Sequence, residues 1–450
     1  MHSVKLTIAK ILSLFFVVFG LNLPVSGQEN SPYSRYGLGD VAPNHNIFTR
    51  SMGGISAATN DNWSINFTNP ASLSNLTTTI FDVGVDMNFR TLRSSNPPQK
   101  FTSVNTYFSY LQIGFPLTTV KMAKKDMQWG MSFGLKPVSK INYKIEKIER
   151  LPGIDSLRTL YEGSGGVNQA FIGTGYRIKN FSIGINAGYM FGSKDYSTKL
   201  GFINDSVHYY QSNSQNKTTF GGFFINGGMQ YNLVLERDPK TKLVSKNLRI
   251  GLYGNMQQNL NASNDLVRET IVYDQNGAVY RIDSVYEDKD VKGKIKYPAM
   301  VGLGLNYTDN NWMFGADFEF GNWSNYRYYG QADQVQNNWT MRAGAQYYPN
   351  KLTPKIKYFN FVKYRAGFYY GSDYITVNRT RPEYGFTLGT GMPLTSLKGR
   401  RSQEGGFVIL NTALEIGNRG NRQTNLRENI VRFSIGLSMN AGWFQKRKYY

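Results

Sequence analysis

The sequence predicts an all-β protein: a transmembrane antiparallel up-and-down β-barrel of about 14 strands, with an N-terminal segment inside its lumen. Two observations carry this prediction. Apolar or aromatic residues occupy every second position in many stretches of the chain, and an export signal precedes them. The first observation indicates strands with two unlike faces, and the second decides which of those faces meets lipid.

The alternation is clearest at 81–90 and 312–321, read as FDVGVDMNFR and WMFGADFEFG. Successive side chains of a strand point to opposite faces, so one face is apolar and the other carries charge or glycine. In a soluble sandwich the apolar face would form the core. In a membrane barrel it faces lipid, and the charged face lines the lumen.

The N-terminus favours the membrane. Lys5 and Lys10 precede an apolar run at 11–21, and Pro24-Val25-Ser26-Gly27 supplies small residues before Gln28. This order is typical of a secretory signal peptide over 1–27. The run is about half of the ~20 residues that a membrane-spanning helix needs. We therefore expect export and a multi-pass position in the cell outer membrane.

Composition agrees with this class of protein. Aromatic residues make up 14% of the chain, glycine contributes 46 residues, and charged residues are only 18%. Cysteine is absent, which excludes disulfides, thiolate metal sites and cysteine nucleophiles. The formal charge of +21 is spread along the chain, so export and the lack of clustering argue against a nucleic-acid partner. Attraction to outer-membrane lipid and lipopolysaccharide is the expected consequence.

Three segments follow from the pattern. Residues 1–27 form the signal peptide, residues 28–76 lack alternation, and residues 77–450 form the barrel. About fifty residues without strands are too many for an ordinary connection. We expect 28–76 to be a luminal hatch, the alternative being a disordered periplasmic tail. Polar loops are expected at 91–100, 150–163, 192–218, 236–247, 350–358 and 395–405, whereas 193–215, 262–290 and 373–392 could hold strands that protrude beyond the lipid.

The inward faces of the predicted strands carry charges of both signs, which can pair across a lumen. The lumen-lining set comprises Asp82, Asp86, Arg90, Asp317, Glu319, Arg342 and Arg365. On the lipid face at mid-membrane a Lys or Arg would cost ~2–4 kcal/mol, so the direction of the pattern is fixed once export is granted.

Catalysis is not expected. The carboxylates Asp317 and Glu319 lie two residues apart, but charge partners in a lumen explain them better than an acid–base pair. The mature chain has only His45 and His208, neither in the context of a Ser–His hydrolase. Ligand clusters for a metal are absent from the pattern, and no cofactor is expected.

Two regions of the chain carry Gly-, Pro- and Trp-containing motifs in a defined order. The first is 51–62, SMGGISAATNDN, followed by 66–73, NFTNPASL. The second begins at 296–304, KYPAMVGLG, and continues through Trp312, Trp323-Ser324 and Trp339 to 364–368, YRAGF. Both regions resemble the FadL-type outer-membrane transporters of hydrophobic compounds. The resemblance implies a fourteen-stranded barrel, an N-terminal hatch, and passage of hydrophobic ligands with release into the membrane. It places Asn69, Pro70 and Ala71 in the hatch as ligand-binding or gating residues.

The chain departs from fatty-acid transporters at both ends. Its opening at 31–40, SPYSRYGLGD, and its basic end at 443–450, WFQKRKYY, resemble the FadL-like branch that includes subunits of the type IX secretion system. Members of that branch act as shuttles or plugs bound to a larger translocon. Two functions therefore stay open: passive uptake of hydrophobic small molecules gated by the hatch, or a non-transporting subunit or plug of a protein secretion or outer-membrane assembly complex.

Overall fold

The computed structural model describes residues 31–95, 98–150, 156–203, 210–239, 244–274, 278–349, 358–377, 379–394, 407–421, 423–424 and 426–441. The expected signal peptide at 1–27 and the basic C-terminal end lie outside these residues. Eighteen strands form one antiparallel sheet. They are β1 (Asp40–Val41), β2 (Thr79–Ser95), β3 (Pro98–Pro116), β4 (Met127–Arg150), β5 (Ser156–Ile178), β6 (Phe181–Phe202), β7 (Gln211–Arg237), β8 (Val244–Asn255), β9 (Gln258–Tyr273), β10 (Val279–Tyr297), β11 (Met300–Asp309), β12 (Trp312–Gly321), β13 (Arg327–Tyr328), β14 (Asn338–Tyr347), β15 (Lys363–Val377), β16 (Arg379–Pro393), β17 (Phe407–Arg419) and β18 (Leu426–Ala441).

The sheet closes on itself through β18 and β2, which pair from Leu426↔Ser94 to Ala441↔Thr79. β8 and β9 are one barrel strand interrupted at 256–257, and β10 and β11 are one strand interrupted at 298–299. β1 and β13 are short additions to the wall. The closed barrel therefore has fourteen strands, as the sequence predicted.

Helical structure is minor. The described helices are α1 (Ile47–Arg50), α2 (Val120–Lys124) and 3-10 turns at Pro32–Arg35, Pro70–Asn75, Trp323–Asn325 and Tyr358–Phe361. Within the described residues, none of the helices has the length and hydropathy to cross a membrane. Both α1 and the turn at Pro70–Asn75 begin after an asparagine whose side chain accepts a backbone N–H, which is the usual N-cap arrangement.

The outward face carries the apolar set that the alternation assigned to lipid. On β2 it comprises Phe81, Val83, Val85, Met87 and Phe89, while Asp82 and Asp86 between them are fully buried. Phe223 of β7 and Met256 beside β8 are 80% and 84% exposed. Such a continuous exposed apolar band is stable only against lipid, and it makes the molecule an outer-membrane type of barrel.

The strands extend beyond this band at one end, called here the distal end. The other end, called the terminal end, holds the start of β2 and the finish of β18. On the distal parts of β4, β5 and β6 the outward side chains are charged and paired: Lys144 and Lys199 contact Glu162 at 3.0 and 2.8 Å. Charge on an outward face marks where the wall leaves the lipid.

The strand extensions correct part of the loop prediction. β6 continues to Phe202 and β7 begins at Gln211, so most of the loop expected at 192–218 is strand, and β5 begins within the loop expected at 150–163. The protruding strands expected at 193–215, 262–290 and 373–392 are present. In the described parts of 91–100, 150–163 and 192–218 the loop prediction was wrong, because both faces of these extensions are polar, which hides the alternation. The loops expected at 350–358 and 395–405 lie almost wholly outside the described residues.

Candidate functional site: the hatch and the lumen

Residues 31–78 run through the barrel lumen from the distal end to the start of β2, and this segment is called the hatch. At its distal part the backbone carbonyl groups accept hydrogen bonds from wall side chains. The Lys194 Nζ and the Tyr326 hydroxyl both donate to the Gly37 oxygen, at 2.6 and 3.1 Å. The Tyr196 hydroxyl donates to the Arg35 oxygen at 2.9 Å. Polar side chains of the wall thereby satisfy hatch carbonyl groups that take part in no strand pairing.

The hatch also bridges a gap between two strands of the wall. β3 and β4 pair only from Leu111↔Leu135 to Pro116↔Gly130, and farther toward the distal end the two strands separate. Across this separation β1 of the hatch pairs with β4 at Asp40↔Lys140 and Val41↔Ser139. The opening, called here the lateral cleft, holds a cavity of about 410 Å³ lined by residues including Asn105, Tyr107, Lys140 and Asn142.

A cluster of buried charges fixes the hatch at the distal end. The Asp40 carboxylate pairs with Arg90 and with Arg419, the latter at 2.7 Å. Glu428 faces the same two arginines at 3.4 and 3.6 Å. Burial alone would raise the pKa of Asp40, but Arg90 and Arg419 outweigh it and hold that pKa well below its ordinary value. Asp40 is therefore an ionised link between hatch and wall.

A second buried pair lies half-way along the lumen. The Arg50 guanidinium of α1 donates to both oxygens of Asp86 on β2, at 2.5 and 2.7 Å, and to the Ser109 hydroxyl at 2.9 Å. It also donates to the His45 carbonyl oxygen of the hatch at 3.0 Å and to the Ser434 hydroxyl of β18 at 3.2 Å. Both charged side chains are almost fully buried, at 3% and 0% exposure.

On the opposite wall, Asp317 of β12 binds the hatch backbone directly. Its Oδ2 accepts the N–H groups of Ser56 and Ala57 at 2.5 and 2.8 Å. Its sequence neighbour on the same face, Glu319, pairs with Arg342 at 3.1 Å and accepts the Tyr253 hydroxyl at 2.5 Å. The two carboxylates thus have separate partners and different tasks.

Two further residues of the lumen-lining set contact hatch or wall. Asp82 accepts hydrogen bonds from Ser64 of the hatch at 3.1 Å and from Ser438 of β18 at 3.0 Å. Arg365 donates to Asn411 at 2.8 Å and lies 4.0 Å from Asp61 of the hatch. Every member of the expected set lies in the lumen, and five of the seven contact the hatch directly: Asp82, Asp86, Arg90, Asp317 and Arg365.

Asn69, Pro70 and Ala71 lie toward the terminal end. The Asn69 amide donates to the Ala57 oxygen at 2.6 Å, and its Oδ1 accepts the Ala71 N–H at 3.1 Å. All three residues are buried. The Asn69 amide also donates to carbonyl oxygens of β7 and β8, both at 3.3 Å. Asn69 therefore joins two parts of the hatch to each other and to the wall, and a gating role for the three residues stays a prediction.

Glycines of the wall let the hatch backbone approach it closely. A Cβ on Gly251 of β8 would overlap the Ala57 carbonyl group, and one on Gly184 of β6 would overlap the Pro70 carbonyl and the Ala71 nitrogen. The wall therefore fits this hatch by the absence of side chains at defined places. At Gly184 and Gly251 the hatch backbone fills the space that a wall side chain would otherwise take.

A cavity between hatch and wall is lined by both charged and apolar side chains. Its volume is about 220 Å³, and its lining includes His45, Lys136, Glu319, Arg342 and Arg432. Burial places the pKa of His45 well below its ordinary value, and Arg342, Arg50 and Lys136 lower it further. His45 Nδ1 lies 3.0 Å from the Ser56 hydroxyl, but a histidine surrounded by cations is a poor general base. Among the described residues no group of His, Cys, Asp and Glu could hold a metal ion.

Sequence reasoning missed the hatch partners Asp40, His45 and Arg50. Arg50 stands directly before the Gly-rich stretch at 51–58, in a segment already expected inside the lumen. A cation buried there needs an anionic partner, so the position of Arg50 in the sequence already indicates a buried ion pair. Which carboxylate supplies it depends on long-range geometry.

The model of the BamG family matches residues 7–450. The chain belongs to the BamG family. No curated protein matches it. Among solved structures, the chain is similar to the Pseudomonas putida toluene transporter TodX, at 15% identity over 90% of this chain and 100% of TodX, with a TM-score of 0.52.

A Pseudomonas aeruginosa FadL homologue matches at 13% identity over 90% of this chain and 98% of its own, with a TM-score of 0.51. The CymD monoaromatic hydrocarbon channel matches at 14% identity over 91% and 100%, with a TM-score of 0.50. At these identities the likeness establishes the fold. This member of the BamG family thus has a FadL-like barrel, in agreement with the resemblance noted in the sequence.

Proposed function

We propose that the protein is a non-transporting barrel subunit of a protein secretion or outer-membrane assembly complex. One observation carries this proposal: buried ionic contacts fix the hatch to the wall at the distal end and in the middle of the lumen, through Asp40–Arg90 and Arg50–Asp86. The export signal at 1–27 would deliver the chain to the outer membrane, where the barrel would act as a fixed, plugged body.

The energetics favour a closed lumen. Separating one partner of a buried, hydrogen-bonded ion pair costs ~3–5 kcal/mol. Opening the hatch would separate several pairs together, and each ~1.4 kcal/mol lowers the open population tenfold. A passive channel has no energy source to offset that cost.

A disulfide lock tests whether the hatch has to open. Ile47 of α1 faces Gly436 of β18, and a Cβ built on Gly436 would lie 3.3 Å from the Ile47 Cβ, close to disulfide geometry. The chain has no other cysteine. We expect cells that carry only the oxidised Ile47→Cys/Gly436→Cys protein to keep normal outer-membrane protein levels. A loss of those levels that a reductant reverses would contradict the proposal.

A partner must also exist. Gentle extraction of the full-length protein, followed by identification of what co-purifies, should recover it together with other outer-membrane or periplasmic proteins in fixed proportion. For the disulfide lock, the matched controls are the single variants Ile47→Cys and Gly436→Cys, which cannot form the disulfide. Purification as a lone monomer after mild crosslinking would overturn the proposal.

The lateral cleft favours a second candidate, the passive uptake of hydrophobic small molecules. Its outer rim includes Phe108 and Leu135, which are 73% and 46% exposed, and a ligand released there would enter lipid directly. The similar structures are named as a toluene transporter and a monoaromatic hydrocarbon channel. In this candidate the hatch gates the route, with Asn69, Pro70 and Ala71 toward its terminal end.

The same lock separates the two candidates. Uptake of a radiolabelled monoaromatic hydrocarbon by cells should fall on oxidation and recover on reduction if the hatch is a gate. If the protein is a plugged subunit, uptake is equal in oxidised, reduced and gene-deleted cells. An oxidation-dependent uptake would make the second candidate the correct one.

A further inference from the structure

The outward face of the distal end carries three cations in one row across adjacent strands. Arg427 of β18 pairs directly with Arg93 of β2, and Arg93 pairs directly with Lys100 of β3. Facing residues of neighbouring antiparallel strands have Cβ atoms ~4.5–5.5 Å apart, so the three side chains point the same way from adjacent positions. Like charges in this register destabilise a sheet.

The row has no anionic partner in the chain. In the part of the chain that the structure describes, neither Arg93, Lys100 nor Arg427 forms an ion pair, and the Arg427 Nε is buried without a hydrogen-bond partner. The residues nearest in sequence supply none either, because Asn96 and Pro97 are neutral and Arg422 is itself a cation. Three cations are thus held together by register, with their repulsion uncompensated.

The height of the row on the barrel is fixed by the layers beneath it. The layer below consists of Asn429, Thr91 and Thr102, and the Thr91 and Thr102 hydroxyls lie 3.1 Å apart. Below that, Val431, Phe89 and Val104 face each other and form the rim of the apolar band. From Phe89 to Arg93 the strand advances four residues, which at a tilt of about 40° rise roughly 10 Å along the membrane normal. This height above the rim of the apolar band is the headgroup region.

The distal end is assigned to the outside of the cell. Because the number of strands is even, the start of β2 and the finish of β18 lie on the same side of the membrane. The exported chain reaches the outer membrane from the periplasm, so its strand ends stay there while the hairpins cross. The row therefore faces the headgroups of the outer leaflet.

We propose that Arg93, Lys100 and Arg427 form a binding site for the phosphate groups of a phosphorylated outer-leaflet lipid, the lipid A part of lipopolysaccharide. Phosphate offers several acceptor oxygens to guanidinium and ammonium groups and removes the repulsion between them. Phe89, Val104 and Val431 lie where the acyl chains of the same lipid begin. The proposal needs only the barrel and its orientation, so it stands whichever function of the hatch is correct.

Native mass spectrometry of the detergent-purified full-length protein tests the site. The variant Arg93→Gln/Lys100→Gln/Arg427→Gln is titrated with bisphosphorylated lipid A and with its dephosphorylated form. We expect wild type to bind the bisphosphorylated lipid at least tenfold more tightly than the variant, and both proteins to bind the dephosphorylated lipid equally. Equal affinity of wild type for the two lipids, or of the two proteins for bisphosphorylated lipid A, would overturn the proposal.

The matched control removes three cations at the opposite end. Lys121, Lys124 and Lys125 are exposed around α2, between β3 and β4 at the terminal end. Lys121→Gln/Lys124→Gln/Lys125→Gln should bind lipid A within twofold of wild type, and a larger loss would mean that net charge alone is responsible. Inorganic pyrophosphate should compete only weakly; competition as strong as that of lipid A would assign the site to a free anion.

Thermal unfolding separates a ligand site from a structural role. In lipid-free detergent the Arg93, Lys100 and Arg427 variant should unfold at the same temperature as wild type or higher, because repulsion is relieved. Added bisphosphorylated lipid A should raise the wild-type Tm more than that of the variant. A variant that is less stable without lipid would overturn the inference.

Discussion

Arg50 and Asp86 join the hatch to the wall through two hydrogen bonds of one guanidinium nitrogen, at 2.5 and 2.7 Å to the two carboxylate oxygens. The pair is enclosed, since neither side chain exposes more than 3% of its surface. A charge left there without its partner could not be hydrated while the hatch is docked. The pair therefore makes docking of α1 against β2 close to all-or-none.

Asp86→Asn should loosen the hatch while the barrel stays folded. The neutral amide leaves the Arg50 charge buried without compensation, which costs ~3–5 kcal/mol. We expect hydrogen exchange of residues 45–57 to accelerate at least a hundredfold, with the ladder between β18 and β2 unchanged. The control is Arg158→Gln, which breaks the exposed pair with Glu146 and should cost less than ~1 kcal/mol. Equal protection of 45–57 in wild type and Asp86→Asn would contradict the role given to the pair.

The sequence predicted the barrel better than the hatch because the two depend on different physics. Lipid imposes an alternation with period two along each strand, and stretches such as 81–90 and 312–321 record it locally. From that record the strand number, the inward set and the exposed apolar band follow. Beyond the lipid both faces meet water, so the alternation fades, and the pattern predicts a loop at 192–218 where the structure has the ends of β6 and β7.

The hatch contacts leave no such local record. Arg50 meets Asp86 only when the hatch lies inside the closed barrel. Asp317 accepts the Ser56 and Ala57 N–H groups across about 260 residues of chain. Register between hatch and wall is set by where the wall lacks side chains, as at Gly251. A glycine in a strand could equally face lipid, as Gly227 does, and nothing local distinguishes the two.

Gly251→Ala and Gly227→Ala should therefore have opposite outcomes. The new methyl group on Gly251 would overlap the Ala57 carbonyl, whereas on Gly227 the nearest atom is the Gly184 oxygen at 3.9 Å. Overpacking of this kind typically costs ~1–3 kcal/mol. We expect Gly251→Ala to raise protease cleavage within 51–62 in detergent-purified protein, with Gly227→Ala matching wild type. Similar cleavage of both variants would show that the hatch does not rest against β8.

Asn69→Ala should detach the turn at Pro70–Asn75 from the middle of the hatch. The variant loses the bond to the Ala57 oxygen and the cap of the Ala71 N–H, together ~1–2 kcal/mol. Exchange of the amides of Ala71 and Ser72 should accelerate about tenfold. Asn62→Ala removes an exposed asparagine of the same segment and serves as the control. If Asn69→Ala instead changes hydrocarbon uptake with no change in exchange, Asn69 is a ligand contact and not a cap.

His45 should make hatch docking sensitive to acid. Burial, and then Arg342, Arg50 and Lys136, hold the pKa of His45 well below its ordinary value of 6.5 while the hatch is docked. A released hatch regains the ordinary pKa, so below pH 6.5 it binds a proton that the docked form cannot bind. Docking is then fully stable above pH 6.5 and weakens by as much as ~1.4 kcal/mol for each unit below it.

The measurement is hydrogen exchange of residues 45–57 at pH 7.5, 6.5 and 5.5, corrected for the intrinsic rate. In wild type the opening equilibrium should rise up to tenfold between pH 6.5 and 5.5, and in His45→Gln that rise should be absent. Asp40 does not contribute in this window, because its pKa lies well below its ordinary 3.8 and its link to Arg90 and Arg419 weakens only in stronger acid. An identical pH dependence in wild type and His45→Gln would show that other lumen groups, and not His45, control the acid response.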